Sequence, residues 1–456
     1  MTQKVETIVI GAGMAGLPMA LRAARHGDTV LVEPGKLGGT CLNRGCIPTK
    51  TMIYSAKVAH LARRAADFGV ETGPVRVDLA SVVARKDLVV SSIRSGSERA
   101  VDRAEALQLV PAHARFLDAH TVEADGTRFQ ADRIVINTGA RPHVPSIPGL
   151  DQVSWLDSTS ALDLTDLPRH LVVVGGGYVG CELAQMYRRF GSKVTILQRA
   201  DRLLPGEDPD VSQVVADAFS AEGIDVRTAT TPDYVAPHPD GGMSVAVGDD
   251  QRLEASHLLI ATGRTPNTDR LDLDAPGVAT DLQGFITVDA AYATTTEGVY
   301  AIGDVVGPPM FTHTARDDAA LLYRHLYKQE DITIQSRLVP HAVFTDPEVA
   351  SFGLTETQAR QIHGDQTGIG IEHFRGVAKA RAMDETAGFI KIITGPDRKI
   401  LGATIVGPEA GNLIHELVVA ATAGLTIDQV SEAMHIHPTL AEGVNAAAGG
   451  VHRPTS

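Results

Sequence analysis

The sequence predicts an α/β protein with two Rossmann-like dinucleotide-binding units and a C-terminal α+β domain. Three observations predict it. A strand–glycine turn–helix–strand pattern occurs twice, the pattern changes to alternating strands after about Leu338, and the 456 residues leave room for roughly three domains at ~100–200 residues each. Composition narrows the partners. Apolar residues make up 43% and charged residues 21%, and 41 Lys+Arg against 55 Asp+Glu give a net charge of −14. No basic surplus exists to neutralise phosphates, so no nucleic-acid partner is expected. No run approaches the ~18–20 apolar residues of a membrane span, and no membrane partner is expected. Three cysteines suit a reducing compartment rather than a disulfide framework, which points to the cytoplasm.

The first unit starts with a β-branched run, Val5 to Ile10, that leads into Gly-Ala-Gly-Met-Ala-Gly at 11–16. A helix to about His26 and a strand from Thr29 to Val32 follow. Gly11 permits a tight turn, Gly13 lets backbone N–H groups approach a pyrophosphate, and Gly16 allows the helix to pack closely on the strand. The same spacing explains why the apolar part of Met1 to Ala24 is not a secretory signal. Glu33, just after the second strand, stands where a carboxylate accepts hydrogen bonds from a ribose.

The second unit repeats this plan. Leu171 to Val174 is a strand, Gly175, Gly177 and Gly180 repeat the glycine spacing, a helix runs to about Phe190, and Lys193 to Leu197 is the return strand. The ribose position now holds Gln198, followed by Arg199 and then Arg202. Loss of the carboxylate beside arginines favours a 2′-phosphate, hence NADPH over NADH. A merely solvated arginine loop is the competing reading and leaves NADH open.

Two further segments, Ile134 to Pro142 with Thr138-Gly139 and Leu258 to Asn267 with Thr262-Gly263, are strands that end in Thr-Gly and then Pro. They read as paired exits from the two units. Gly298 to Asp304 is another strand, ending in a Gly-Asp that can present a carboxylate to a polyol or phosphate. Beyond Gln335 the strands Phe389 to Thr394 and Leu401 to Val406 and a helix from about Asn412 to Gly424 mark the last domain.

Directly after the first unit comes Gly38-Gly-Thr-Cys41-Leu-Asn-Arg-Gly-Cys46-Ile-Pro-Thr-Lys50. Residues five apart in a regular helix have Cα atoms roughly 8–9 Å apart, beyond the ~7 Å limit for a disulfide. If Cys41 and Cys46 pair, the turn between them must be distorted, with Gly45 allowing the bend and Pro48 setting a local break. Two thiols beside a nucleotide suggest a dithiol that exchanges electrons. Zinc lacks the further ligands it needs, so no metal is expected. Cys181 reads as a small buried core residue. Far down the chain, His435-Ile-His437-Pro-Thr-Leu-Ala-Glu442 offers a base near neutral pH with a carboxylate to orient it. On spacing alone, a structural histidine is the simpler reading of His437, and the same holds for His435, His313 and His341.

Taken in order, these motifs resemble the flavin-dependent pyridine nucleotide-disulfide oxidoreductases, the group of dihydrolipoamide dehydrogenase, glutathione reductase and mercuric reductase. The resemblance covers nearly the whole chain. It implies FAD on the first unit (1–145 with 268–335), NAD(P)H on the second (146–267), and a dimerisation domain (336–456) that builds a homodimer. It further implies that Cys46 is the flavin-facing thiol and Cys41 the thiol that exchanges with substrate. His437, oriented by Glu442, would be the acid/base serving the partner subunit. Lys50 and Glu182 would pair beside the flavin, and Tyr178 would cover it. Glu33, Thr40, Thr138, Gly139, Gly263 and Asp304 would contribute to nucleotide binding. The implied substrate is a small disulfide or dithiol.

Two departures bear on the substrate. Mercuric reductases resemble the chain at Gln198-Arg199, but carry a C-terminal cysteine pair and commonly a tyrosine in place of the histidine. Dihydrolipoamide dehydrogenases keep the histidine but typically carry a carboxylate where Gln198 stands. A metal-ion reductase using NADPH and a non-catalytic flavoprotein redox sensor are the alternatives to the disulfide reading.

Overall fold

β-Branched runs with no solvent-facing side build two parallel sheets of matching order. The computed structural model describes residues 2–239, 241–248, 251–334 and 337–452. In the first sheet Val299–Ala301, Arg133–Ile136, Thr7–Ile10, Thr29–Val32 and Leu107–Val110 lie side by side in that order. In the second the order is His257–Ile260, His170–Val174, Lys193–Leu197 and Asp225–Arg227. Ile8, Val9, Val30, Leu31, Leu171, Val172 and Val173 are fully buried. Such unbroken apolar strands are what a parallel sheet covered on both faces requires.

The helices that matter to the site are α1 (Gly16–Ala23), α2 (Gly39–Arg44), α3 (Cys46–Arg63), α4 (Leu79–Asp102), α5 (Tyr178–Phe190), α6 (Pro209–Ala221) and α7 (Thr312–Lys328). Helix α1 stops short of the expected His26 because its end tightens. Arg25 N–H and His26 N–H bond to carbonyls three residues back. The first strand starts at Thr7 rather than Val5, because the Val5 amide bonds to Gln130 O, outside this sheet. The second unit's strand begins one residue early, where the His170 ring bonds to Glu254 O at 2.7 Å and Thr195 Oγ1 at 3.0 Å.

The two glycine turns are built alike. Gly11 has φ +101° and Gly175 φ +111°, conformations a side chain rarely adopts. A Cβ on Gly16 would lie 1.9 Å from Gly11 O, and one on Gly180 would lie 1.9 Å from Gly175 O. The third glycine in each turn therefore lets the helix start against the strand end. Gly16→Ala is expected to cost roughly 1–3 kcal/mol by overpacking. Thermal melting would check it.

The paired exits form a two-stranded antiparallel ribbon. Ala140–Pro142 pairs with Arg264–Pro266, and Asn267 closes it with bonds to Gly139 O and Thr138 O, both 2.9 Å. After this ribbon the chain returns to the first sheet, where Val299–Ala301 pairs with Arg133–Ile136.

The expected boundary at Gln335 lies outside the described residues. Beyond it, His341–Val343, Glu348–Gly353, Ile400–Gly407, Phe389–Thr394 and Gly368–His373 form one antiparallel sheet in that order. The Phe389–Thr394 strand has the bounds the sequence suggested. The sheet's inner face, with Ile390 and Ile392 of this strand and Ile405 of its neighbour, packs with Ile414 and Leu417 of the helix Ala410–Thr422. Two buried charge clusters tie this sheet to the second unit. Lys391 sits among Asp208, Asp210 and Glu356, and Arg189 bonds to Glu222 and Asp346.

Candidate active site

Cys41 lies on α2 and Cys46 opens α3, and Gly45 between them breaks the helix at φ −133°, ψ −110°. The bend expected at Gly45 is present. Pro48 is not a break, contrary to expectation. It occupies the first turn of α3, where its missing N–H would have had no helical partner. Both thiols are free and half-buried. Cys181 is fully buried under the second glycine turn, as its core reading implies.

Two elements converge on Cys46. Thr312, the first residue of α7, places its hydroxyl 3.3 Å from the sulfur. Lys50, one turn further along α3, bonds to both Glu182 oxygens at 2.9 and 2.7 Å. Glu182 also accepts the Phe344 amide at 3.0 Å and is 5% exposed, so the ion pair is firmly placed. Hydrogen bonding from Cys41 pushes the Cys46 thiol down to about 6, helped by Thr312 and by the Lys50 charge against the opposing effect of burial. The Cys41 thiol moves the other way, because it donates to Cys46 and is itself buried. The reduced pair thus holds its negative charge on Cys46 and its proton on Cys41. In the dithiol form one thiolate per chain is expected to titrate well below the ordinary thiol range, read by its ultraviolet absorbance. Cys41→Ser should move that step upward, and Cys46→Ser should abolish it.

Both cysteines open onto a cavity of about 1210 Å³. Of the residues singled out from sequence, Gly11, Gly13, Glu33, Thr40, Lys50, Thr138, Gly139, Tyr178, Glu182 and Asp304 line it. At one end Glu33 accepts the amides of Ala12 and Gly35, both at 2.8 Å. Tyr178, Glu182, Phe311, His313, His341 and Phe344 line the same cavity. His313 and His341 are therefore wall residues of the cavity rather than remote core histidines. His435 fits the structural reading, bonded to Glu416 at 2.8 Å.

Sequence reasoning passed over Asn137, which bonds to Gly16 N–H at 2.7 Å and Ile302 O at 2.8 Å and pins the turn to the sheet. It also missed Thr312 and Arg264. Nothing local marks these residues, because their partners are far away in sequence.

Gly175, Gly177 and Gly180 of the second turn do not line this cavity, although Tyr178 and Val179 between them do. Gln198 Oε1 accepts the Gly176 amide at 3.1 Å, as Glu33 accepts that of Ala12, so Gln198 occupies the corresponding position. Its Nε2 donates to Arg202 O at 3.2 Å, while Arg199 is exposed. A Cβ at Gly177 or Gly263 would meet nothing within 4 Å, so both glycines face open space.

His437 is not brought to the cysteines of its own chain. Its side chain is 72% exposed, with Nδ1 2.9 Å from Glu442 Oε1. The Thr439 amide bonds to the other Glu442 oxygen at 3.0 Å. That amide and then His437 hold the Glu442 carboxyl below its ordinary value.

Two dinucleotide turns, a bent dithiol on the wall of the first unit's cavity and a Lys50 ion pair with the buried Glu182 beside it define an oxidoreductase of the flavoprotein disulfide reductase class. Residues 5–319 match the family described as pyridine nucleotide-disulphide oxidoreductase, and residues 339–448 match its dimerisation domain. The chain belongs to the pyridine nucleotide-disulphide oxidoreductase family, whose members depend on FAD and a pyridine nucleotide. It is 38% identical over 459 residues to a dihydrolipoyl dehydrogenase of Haloferax volcanii, covering 97% of this chain and 95% of that one. To a mercuric reductase of Lysinibacillus sphaericus it is 35% identical over 447 residues, covering 97% and 82%. The solved structure of the HOCl-induced flavoprotein disulfide reductase RclA from Escherichia coli is similar, with a TM-score of 0.89 at 30% identity over 97% of this chain and 99% of that one.

Proposed function

We propose that this chain is an FAD-dependent NAD(P)H:disulfide oxidoreductase that acts on a small disulfide or dithiol through Cys41 and Cys46, with NADPH preferred over NADH. The observation that carries the reading is the Cys41–Gly45–Cys46 bend, with its charge biased onto Cys46 inside the cavity.

The cavity wall suits a flavin nucleotide. The Thr138 hydroxyl is buried without a partner, and the Asp304 carboxylate, on the cavity wall, has no hydrogen-bond donor within 3.5 Å among the described residues, Arg264 standing 3.8 Å away. Burial raises the Asp304 carboxyl against the pull of Arg264. An acceptor and a hydroxyl left open in this way fit the ribityl and pyrophosphate segment, and Glu33 fits the adenosine ribose. Gly11 to Gly16 and Thr40 would hold the pyrophosphate, and Lys50 with Glu182 would stand at the reacting edge of the ring. In this division 1–145 and 268–335 carry FAD, 146–267 carry the nicotinamide nucleotide, and 336–456 make the dimer. A bound flavin would supply the two-electron link between the nicotinamide and the Cys41–Cys46 pair.

The protein's own groups do the rest. Cys46 is stabilised as the thiolate that faces the ring, and Cys41 keeps its proton until a base removes it. That base is His437 of the partner subunit, oriented by the partner's Glu442. Support for a homodimer comes from the exposed loop that carries this histidine, where Met434 is 99% and Ile436 79% exposed. Gln198 with Arg199 supports NADPH, and the scarcity of cysteine accords with a cytoplasmic setting.

The deciding experiment is an anaerobic titration of the yellow protein with NADPH and, separately, NADH, followed by turnover with lipoamide, glutathione disulfide and mercuric ion. A long-wavelength charge-transfer band at two electrons and turnover of a disulfide are expected. Bleaching without that band, or turnover of the metal ion alone, would overturn the reading.

A further inference from the structure

Behind Tyr178 lies a buried carboxylate that the relay just described leaves without a task. The Tyr178 hydroxyl donates to Glu207 Oε1 at 3.1 Å, and His341 Nε2 meets the same oxygen at 2.7 Å. Ser351 donates to the other oxygen at 2.8 Å. The Glu207 side chain is 2% exposed. Burial alone would raise its carboxyl, but the His341, Ser351 and Tyr178 donors outweigh burial and hold it below the ordinary value. A buried charge is costly unless it is fully bonded, so a position that served packing alone would favour an apolar residue.

The rings around it are ordered too. Tyr178 stacks on His341 at 5.5 Å and 16°, and on Phe311 at 6.3 Å and 17°. Phe311 in turn stacks on His341 at 5.7 Å and 3°, and on His313 at 5.4 Å and 9°. All four line the cavity.

Glu207 also ends the loop that begins at Gln198. Gln198 is clamped between Gly176 N–H and Arg202 O, Leu204 N–H bonds to Gly176 O at 2.9 Å, and Glu207 N–H bonds to Leu204 O at 2.9 Å. The segment that would read the nicotinamide nucleotide's ribose is therefore continuous, through a few hydrogen bonds, with the tyrosine on the cavity wall.

We propose that Glu207, aligned by His341 and Ser351, is a positioning residue that latches Tyr178 against the cavity wall and links release of its ring to the 198–207 loop. The inference rests on Tyr178 being the cover of the flavin ring. With the latch made, nucleotide entry beside α5 requires the Tyr178–Glu207 bond to break. A hydrogen bond to a charged group makes that a factor of about ten in affinity.

The test is a double-mutant cycle on the FAD-loaded protein, with NADP+ affinity read by calorimetry and flavin bleaching by NADPH followed in stopped flow. Tyr178→Phe keeps the ring and removes the latch, and it should tighten NADP+ binding about tenfold. Glu207→Gln, whose amide oxygen still accepts the Tyr178 hydroxyl but carries no charge, should give part of that gain, and the double variant should go no further than Tyr178→Phe alone. His341→Ala should give part of the effect, and His341→Gln, which can still donate to Glu207, should restore the original affinity. Unchanged or weaker binding in Tyr178→Phe overturns the latch. Singles whose effects multiply in the double variant overturn it as well, while leaving the cover role standing. Tyr178→Ala with unaltered affinity and bleaching removes the cover role and the latch together. If Glu207→Gln does not fold, as melting would show, the Tyr178→Phe and His341 variants form the cycle.

Discussion

Replacing Cys46 by Ser is expected to leave a folded, yellow protein that NADPH still bleaches, with no long-wavelength band and disulfide turnover lower by about three orders of magnitude or more. The reason lies in where the pair keeps its charge. Cys46 is the thiol held down by Cys41, Thr312 and Lys50, and a serine hydroxyl does not ionise in this range. Cys41→Ser should differ, because Thr312 and Lys50 still favour the Cys46 thiolate even as its titration moves upward, while the sulfur proposed to meet substrate is gone. Anaerobic titration separates the two. The band should survive in Cys41→Ser and vanish in Cys46→Ser, and the reverse pattern would exchange the roles.

His437→Gln is expected to lower disulfide turnover by about 10²–10⁴, the usual worth of a placed acid/base, while flavin bleaching by NADPH proceeds as before. The histidine is 72% exposed and absent from the wall of its own chain's cavity, so its effect must come from another subunit. That geometry permits a sharper test. Mixing unfolded Cys46→Ser and His437→Gln chains and refolding them together should restore roughly a quarter of normal turnover, because half of randomly formed dimers carry one intact site of two. No recovery would mean that each chain serves its own cysteines.

Much of this was legible in the sequence because it is local. The glycine turns, the strands Thr29–Val32, Lys193–Leu197 and Phe389–Thr394 and the bend at Gly45 are each set by a few neighbouring residues. Pro48 misled because a proline signals a break only inside a helix, and α3 starts two residues before it. What stayed hidden depends on residues that meet only after folding. Thr312 reaches Cys46 from α7, Asn137 reaches Gly16 across the sheet, and Glu207 gathers donors from three separate elements. His341 looked inert for the same reason, since its partner lies 134 residues earlier.

The ribbon of Ala140–Pro142 and Arg264–Pro266 has a consequence for how the chain is made. The strand Val299–Ala301 and Asp304, on the wall of the first cavity, emerge from the ribosome only after the whole segment between the ribbon's two strands. A nascent chain can therefore assemble the second unit while the first is still an unfinished sheet with an open edge at Arg133–Ile136. The first unit, earlier in the sequence, is the later of the two to close, and during synthesis its exposed edge strand is the place most in need of protection from pairing with another chain.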